Sequence, residues 1–151
     1  MIQEDRLQVF IDAAIRYFKE VNNTDVEVGT PYLVENDMPT AHDYTGIIGI
    51  SGPYSGTVYF TAPRVMLRYI MMVLEENDVT EKNMMDLVGE IANILSGNAR
   101  TEYGTEFMIS VPVVVKGAPD EIYLPRGTRS FVIPLTWKNY HAAIVICLRN
   151  E

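Results

Sequence analysis

Two pairs of β-rich segments in this sequence are each joined by nothing longer than a tight turn. The first pair lies within residues 44–63, where two segments flank Gly52-Pro53. The second pair is formed by FVIPLTW (131–137) and YHAAIVICL (140–148), on either side of Lys138-Asn139. Such short connections join antiparallel neighbours, because parallel strands need a long crossover. The chain is therefore constrained to a largely antiparallel sheet.

Three amphipathic helices are predicted from apolar residues that recur every three or four positions. They cover residues 3–20, residues 63–75 and a third segment that starts at Thr80 and runs to about Tyr103-Gly104. Pro63 suits the first position of a helix, where a missing N–H is tolerated. Thr80 followed by Asn83 is an imperfect capping box, so we expect the third helix to begin there.

Two further extended segments bring the predicted strands to five or six. One is residues 26–36, where Pro31 indicates an edge or interrupted strand, and the other runs from Met108 to Lys116. The predicted fold class is α+β, with a largely antiparallel sheet and about three helices packed on one face.

Length and charge exclude several classes of protein. The 151 residues fit one domain spanning 1–151, and the formal net charge of −8 argues against a nucleic-acid partner. Cys147 lies in an apolar run, where we expect a buried small hydrophobe and no disulfide. The first ten residues carry charges where a signal peptide needs an apolar stretch, and no apolar run approaches the roughly 18 residues of a membrane span. We therefore expect a cytoplasmic protein with no membrane partner.

The third helix carries a narrow polar stripe. At about 100° per residue, Asp86, Glu90, Asn93 and Gly97 fall within roughly 60° of one another, and the apolar residues occupy the rest of the circumference. The stripe is predicted to face outward. The plain alternative is an ordinary solvated stripe, which every amphipathic helix has.

The residue types in this stripe favour a functional role over simple solvation. Asn93, Gly97 and the flanking Gly89 are weaker helix formers than alanine by several tenths to about 1 kcal/mol. Small residues beside a carboxylate and an amide leave the helix surface open to close approach by another protein. We therefore expect this surface to bind a partner.

The run DLVGEIAN from Asp86 to Asn93 resembles the motif of the CheC/CheX/FliY family of phosphatases. That motif is an acidic residue or serine, three residues, glutamate, two residues and asparagine, and all three polar positions are matched. The family also has a proline further on within a strand. Pro112 in the run ISVPVV is similar to it, although the interval from Asn93 is shorter than in the family pattern. The close match covers residues 84–115.

A single copy of the motif places the resemblance with the CheX branch, because CheC and FliY members carry two such helices. Within its predicted bounds, residues 3–20, the first helix of this chain offers Asp5, Asp12 and Arg16 but no Glu-x-x-Asn.

The resemblance implies hydrolysis of the aspartyl phosphate of a phosphorylated CheY-like receiver domain, in chemotaxis or related two-component signalling. It implies catalysis by Glu90 and Asn93, partner binding by Asp86, Glu90 and Gly97, and a structural role for Pro112. No cofactor of its own is expected, and Mg²⁺ is supplied by the receiver. A non-catalytic module that binds a receiver domain or a flagellar component is the alternative.

The chemistry of the two central residues agrees with that implication. An amide has no useful pKa near neutrality, so Asn93 is not a general base, but it can orient a water as a glutamine does in GTPases. The charge of Glu90 can pair with a lysine in the partner's acidic pocket and fix the depth of insertion.

Other candidate sites in the sequence are weaker. His42 and His141 are isolated and lack metal-ligand spacing with Cys147 or with an acidic cluster. The acidic runs at 35–37 and 75–78 lack the spaced ligands and glycine hinge of a calcium loop, so turns are predicted there.

The resemblance also implies a homodimer that pairs through its sheets. An uncovered strand at the sheet edge invites such pairing. Pro112 cannot donate a ladder hydrogen bond, so its strand is the less suitable partner and the C-terminal strand pair is the predicted dimer edge.

Overall fold

A computed structural model of the chain describes residues 2–22, 25–37, 40–116, 124 and 128–150. Within these residues a short 3-10 helix, Glu4–Leu7, leads into helix α1, Gln8–Asn22. Helix α2 covers Arg64–Val73 and helix α3 covers Glu81–Tyr103. The strands are β1 (Glu27–Val28), β2 (Tyr32–Glu35), β3 (Tyr44–Ser51), β4 (Tyr54–Ala62), β5 (Met108–Ile109), β6 (Val113–Lys116), β7 (Arg129–Trp137) and β8 (Tyr140–Asn150).

All the strand pairs are antiparallel, in the order β1-β7-β8-β4-β3-β5, with β2 also on β7 and β6 also on β3. Both predicted hairpins are present, β3 with β4 and β7 with β8. The second closes through Lys138 and Asn139, whose φ angles of 50° and 70° match the right-handed twist of the strands. The α+β fold class with three helices and an antiparallel sheet is confirmed.

The C-terminal strand pair lies inside the sheet, so the prediction that it forms the dimer edge was wrong. β8 is flanked by β4 and β7, and β7 has β1 and β2 on its other side. The physical reason is burial on both faces: every residue from Ala142 to Leu148 is buried. A continuous apolar run of that kind is typical of a central strand, whereas a half-exposed strand alternates.

Each edge of the sheet consists of two short strands separated by a break. The predicted strand from Met108 to Lys116 is interrupted at residues 110–112, between β5 and β6. The interruption predicted at Pro31 is present between β1 and β2, opposite Pro134 of β7. There the Gly29 N–H donates to the Pro134 carbonyl oxygen at 2.9 Å. A proline is therefore accommodated in β7 where the neighbouring edge strand is broken.

The three helices pack on one face of the sheet and enclose the main core, which includes Trp137, Phe10, Phe18 and Ile91. The opposite face carries a smaller cluster around Tyr59, Val132, Ala143, Val145 and Cys147. Cys147 is buried there, as its apolar run predicted. None of the helices in the described part of the chain is long and apolar enough to cross a membrane.

Helix α3 approaches the sheet most closely at two glycines. A Cβ added to Gly46 of β3 would lie 2.6 Å from the Val88 carbonyl oxygen and 3.0 Å from the Gly89 Cα. A Cβ added to Gly89 would lie 2.9 Å from Cγ2 of Val114 in β6. The backbone of α3 therefore lies almost directly on the backbone of β3, with β6 along its side.

Replacing Gly46 tests whether this close approach stabilises the fold. Gly46→Ala forces the α3 backbone away from β3, and we expect a loss of about 1–3 kcal/mol in the free energy of unfolding. Gly49→Ala in the same strand is the matched control, because its nearest contact is Ser110 Oγ at 3.4 Å. Urea unfolding of the two variants measures the difference. A Gly46→Ala variant as stable as Gly49→Ala would contradict the proposed contact.

Candidate functional site

The polar stripe lies on a helix whose two ends are well defined. The Thr80 hydroxyl oxygen accepts a hydrogen bond from the Asn83 N–H at 3.1 Å, as the capping pattern predicted, and the Asn83 amide donates to the Asp78 carbonyl oxygen at 2.8 Å. The helix ends at Tyr103 and is followed by Gly104, whose φ of 104° favours glycine.

The stripe faces outward as predicted. Asp86, Glu90 and Asn93 are exposed and Gly97 is half-buried, whereas the opposite side of α3 enters the core. In the described part of the chain, none of the three polar side chains makes a hydrogen bond or an ion pair. Their carboxylate and amide groups are therefore free to bind a partner.

The two glycines beside the stripe have different roles. Gly89 was predicted to open the helix surface to a partner, but it is buried against Val114 and its small size serves the packing of α3 on the sheet. Among the described residues, nothing lies within 4 Å of a Cβ added to Gly97. Packing within the fold therefore does not require a glycine at position 97. Glycine lowers the stability of a helix relative to alanine, and no contact within the described structure explains why it is present there.

Pro112 lies beside the stripe helix, 3.5 Å from the position of a Cβ on Gly89. It is in the break between β5 and β6 and not within a strand as expected. Ser110 fixes this break, because its N–H donates to the Gly49 carbonyl oxygen at 2.9 Å and its Oγ accepts from the Gly49 N–H at 2.8 Å. Val111, between Ser110 and Pro112, is 83% exposed.

Helix α1 lies antiparallel to α3, which sequence patterns did not show. The Tyr103 hydroxyl near the end of α3 donates to the Arg6 carbonyl oxygen at 2.7 Å, and Tyr17 lies near Glu90 at the other end of the pair. Burial raises the pKa of the Tyr17 phenol, and the negative charge of Glu90 raises it further. The Glu90 carboxylate therefore has a buried, protonated tyrosine as its neighbour.

A cavity of about 640 Å³ lies apart from the stripe, at the start of α2 and α3. It is lined by His42, Asp43, Arg64, Glu81 and Lys116, among others. Its acidic groups already have partners, because Glu81 pairs with Lys116 and Asp43 accepts the Arg64 backbone N–H at 2.8 Å.

The two histidines are placed differently. Burial lowers the pKa of His42, which lines this cavity, whereas His141 is exposed and its Nδ1 lies 3.1 Å from Thr136 Oγ1. Within the described ranges, no group of three or more histidine, cysteine or acidic side chains is placed to hold a metal ion.

The family model described as chemotaxis phosphatase CheX matches residues 44–136. That stretch contains β3, β4, all of α3 and Pro112. No curated protein matches the chain significantly.

Solved structures share the fold over nearly the whole chain. A CheC-like superfamily protein from Shewanella sp. PV-4 is 26% identical, with a TM-score of 0.82, and the match covers 99% of this chain and 100% of that chain. Chemotaxis protein CheX from Vibrio vulnificus is 25% identical, with a TM-score of 0.78, over 96% of this chain and 99% of that one. A chain of the CheX–CheY–BeF3–Mg²⁺ complex from Borrelia burgdorferi is 18% identical, with a TM-score of 0.77, over 98% of this chain and 100% of its own.

The family model covers well over half of the chain, and its match includes the Asp86, Glu90 and Asn93 stripe. The chain therefore belongs to the CheX family of chemotaxis phosphatases.

Proposed function

We propose that this protein hydrolyses the aspartyl phosphate of a phosphorylated CheY-like receiver domain. The observation that carries the proposal is the pair Glu90 and Asn93, one turn apart and exposed on α3, neither of which makes a hydrogen bond or ion pair with another described residue. A helix of this kind can insert its side chains into a pocket of another protein without reorganising. Family membership and the CheX–CheY–BeF3–Mg²⁺ complex of the Borrelia burgdorferi relative support the choice of partner.

In the proposed reaction, a water oxygen attacks the phosphorus in line with the bond to the aspartyl carboxyl oxygen. That bond breaks, its electron pair stays on the aspartate carboxylate, and the proton of the water leaves with phosphate or solvent. Asn93 orients the water: its side-chain carbonyl oxygen accepts a hydrogen bond from the water and holds the water oxygen towards phosphorus. The receiver would hold Mg²⁺, which would supply positive charge against the phosphoryl oxygens.

Glu90 has a docking role in this proposal. Its free carboxylate pairs with a lysine of the receiver and fixes how deeply α3 inserts. Asp86, one turn earlier, makes a peripheral contact, and the open surface at Gly97 admits the receiver backbone. Pro112 and Gly89 set the position of α3 from behind and do not touch the partner's pocket.

A non-catalytic receiver-binding module with the same fold is the alternative. The complete set of Asp86, Glu90 and Asn93 disfavours it, because a binding surface alone has no need for an amide that orients water. Phosphate release from a phosphorylated receiver, with and without this protein, separates the two functions.

Removing the amide of Asn93 tests catalysis. We expect Asn93→Ala to slow receiver dephosphorylation by about 10²-fold or more, because a positioning group is lost, while stability is unchanged. Asn77→Ala, an exposed amide between α2 and α3, is the matched control and should retain full activity. Single-turnover phosphate release measures both variants. Full activity of Asn93→Ala would exclude the proposed mechanism.

Reversing the charge of Glu90 tests docking. We expect Glu90→Lys to weaken binding of the activated receiver, and the difference from wild type to shrink as salt is raised. Glu76→Lys, an equal charge change beyond the end of α2, is the control. Titration calorimetry at low and high salt gives the affinities. An affinity for Glu90→Lys equal to that of the control would remove Glu90 from the interface.

We also propose a homodimer, as the family resemblance implies. Because the C-terminal strands are internal, the candidate edges are β2 and the β5/β6 side. Pro112 disfavours the latter, which also lies beside α3. Pairing of β2 with its own copy leaves both α3 helices open, and Tyr32 and Leu33 there are 47% and 38% exposed.

Light scattering tests this assembly. We expect wild type at micromolar concentration to have twice the monomer mass of 17.1 kDa, and Leu33→Lys to shift it towards the monomer. Val113→Lys, on the opposite edge, is the control and should remain dimeric. A monomeric wild type would contradict the dimer, and a dimeric Leu33→Lys would contradict pairing through β2.

A further inference from the structure

Helix α1 carries a second polar stripe with the same spacing as the α3 stripe but with different charges. Asp12, Arg16 and Lys19 are separated by four and then three residues, as are Asp86, Glu90 and Asn93. All three α1 side chains are exposed and share one face of the helix. The positions that correspond to Glu90 and Asn93 are both basic.

The two helices enclose a groove of about 130 Å³. Asp12 and Arg16 of α1 line it from one side, and Asn98, Thr101 and Glu102 of α3 from the other. Thr101 lies one turn beyond Gly97, and its hydroxyl donates to the Gly97 carbonyl oxygen at 3.2 Å. The groove therefore continues the open end of the α3 stripe.

Arg16 is the basic side chain that lines this groove and, among the described residues, the member of the α1 stripe without a partner. Asp12 accepts a hydrogen bond from the Gln8 amide at 2.8 Å, and Lys19 pairs with Asp25 at 3.4 Å. Arg16 makes no hydrogen bond or ion pair in the described part of the chain. Its planar guanidinium is suited to a carboxylate, which it can bind through two parallel N–H groups.

We propose that Arg16 is a specificity-determining residue that binds a carboxylate of the receiver domain beside the phosphorylated pocket. The inference rests on the proposed function. A receiver that holds Mg²⁺ must present carboxylates around it, and the phosphoryl group adds negative charge. This chain has a net charge of −8, so an acidic group of the receiver meets net repulsion from it unless a basic side chain lies nearby. A free guanidinium next to the catalytic stripe supplies local attraction and selects receivers with an acidic group at the matching place.

The test compares two charge reversals in the whole 151-residue chain. Arg16→Glu and Arg68→Glu change the net charge equally, and Arg68 is exposed on α2, away from the groove. The probe is the receiver that wild type dephosphorylates, loaded with Mg²⁺ and BeF3⁻. We expect Arg16→Glu to weaken its binding by about tenfold or more and Arg68→Glu by less than about twofold at low salt. Arg16→Lys keeps the positive charge but loses the two parallel N–H groups, so its affinity should lie between those of wild type and Arg16→Glu.

The rate at saturating protein separates specificity from catalysis. Single-turnover dephosphorylation by Arg16→Glu at saturation should stay within about twofold of wild type, because Arg16 does not touch the reacting atoms. Equal affinities of Arg16→Glu and Arg68→Glu, or a slower saturated rate at unchanged affinity, would overturn the inference and leave the phosphatase function intact. A wild type that neither binds nor dephosphorylates any receiver would overturn both.

Discussion

The near-contact of two backbones, α3 on β3, is the constraint on which the candidate site depends. At Gly46 and Gly89 no side chain separates the helix from the strand, and Val114 and Pro112 close the same gap from the sheet edge. A helix held at backbone distance has little freedom to rotate, because rotation brings side chains into the strand. The stripe of Asp86, Glu90 and Asn93 is therefore presented to solvent in one orientation. For the proposed reaction, which relies on positioning and not on a strong base, such rigidity is the main contribution of the fold.

At the sheet edge next to α3, a break in the strand helps to fix the position of the helix. Residues 110–112 belong to no strand, and two hydrogen bonds between Ser110 and Gly49 fix the point where strand β5 ends. Pro112 then lies beside α3, with its Cβ 3.5 Å from the position of a Cβ on Gly89. The opposite edge is broken in a similar way, opposite Pro134. In both places a proline coincides with a gap in strand pairing, so no buried ladder position lacks its donor.

Local sequence signals predicted the parts of the structure that local interactions determine. Thr80 marked the start of α3, Lys138-Asn139 marked a hairpin turn, and helical periodicity placed the stripe on the outside. The position of a strand within the sheet depends on contacts between residues far apart in sequence. For that reason the C-terminal strand pair was wrongly predicted to lie at the sheet edge. A usable signal was present, since Ala142 to Leu148 form an unbroken apolar run and an edge strand with one wet face would alternate. The role of Gly89 had no such signal, because a glycine against a strand and a glycine facing solvent look alike in sequence. The same holds for the packing of α1 beside α3, which brings Tyr17 to Glu90 and Arg16 to the groove.

The central proposal is that the exposed stripe of α3 does not only bind a phosphorylated receiver but also catalyses hydrolysis of its aspartyl phosphate. The most direct measurement is phosphate released over time from phosphorylated receivers of the same cell, with this protein present at a small fraction of the receiver concentration. The account predicts that, for at least one receiver, release is accelerated and the phosphate liberated exceeds the amount of protein many times over. Unchanged release for every receiver, even where the protein binds the phosphorylated form, would contradict it.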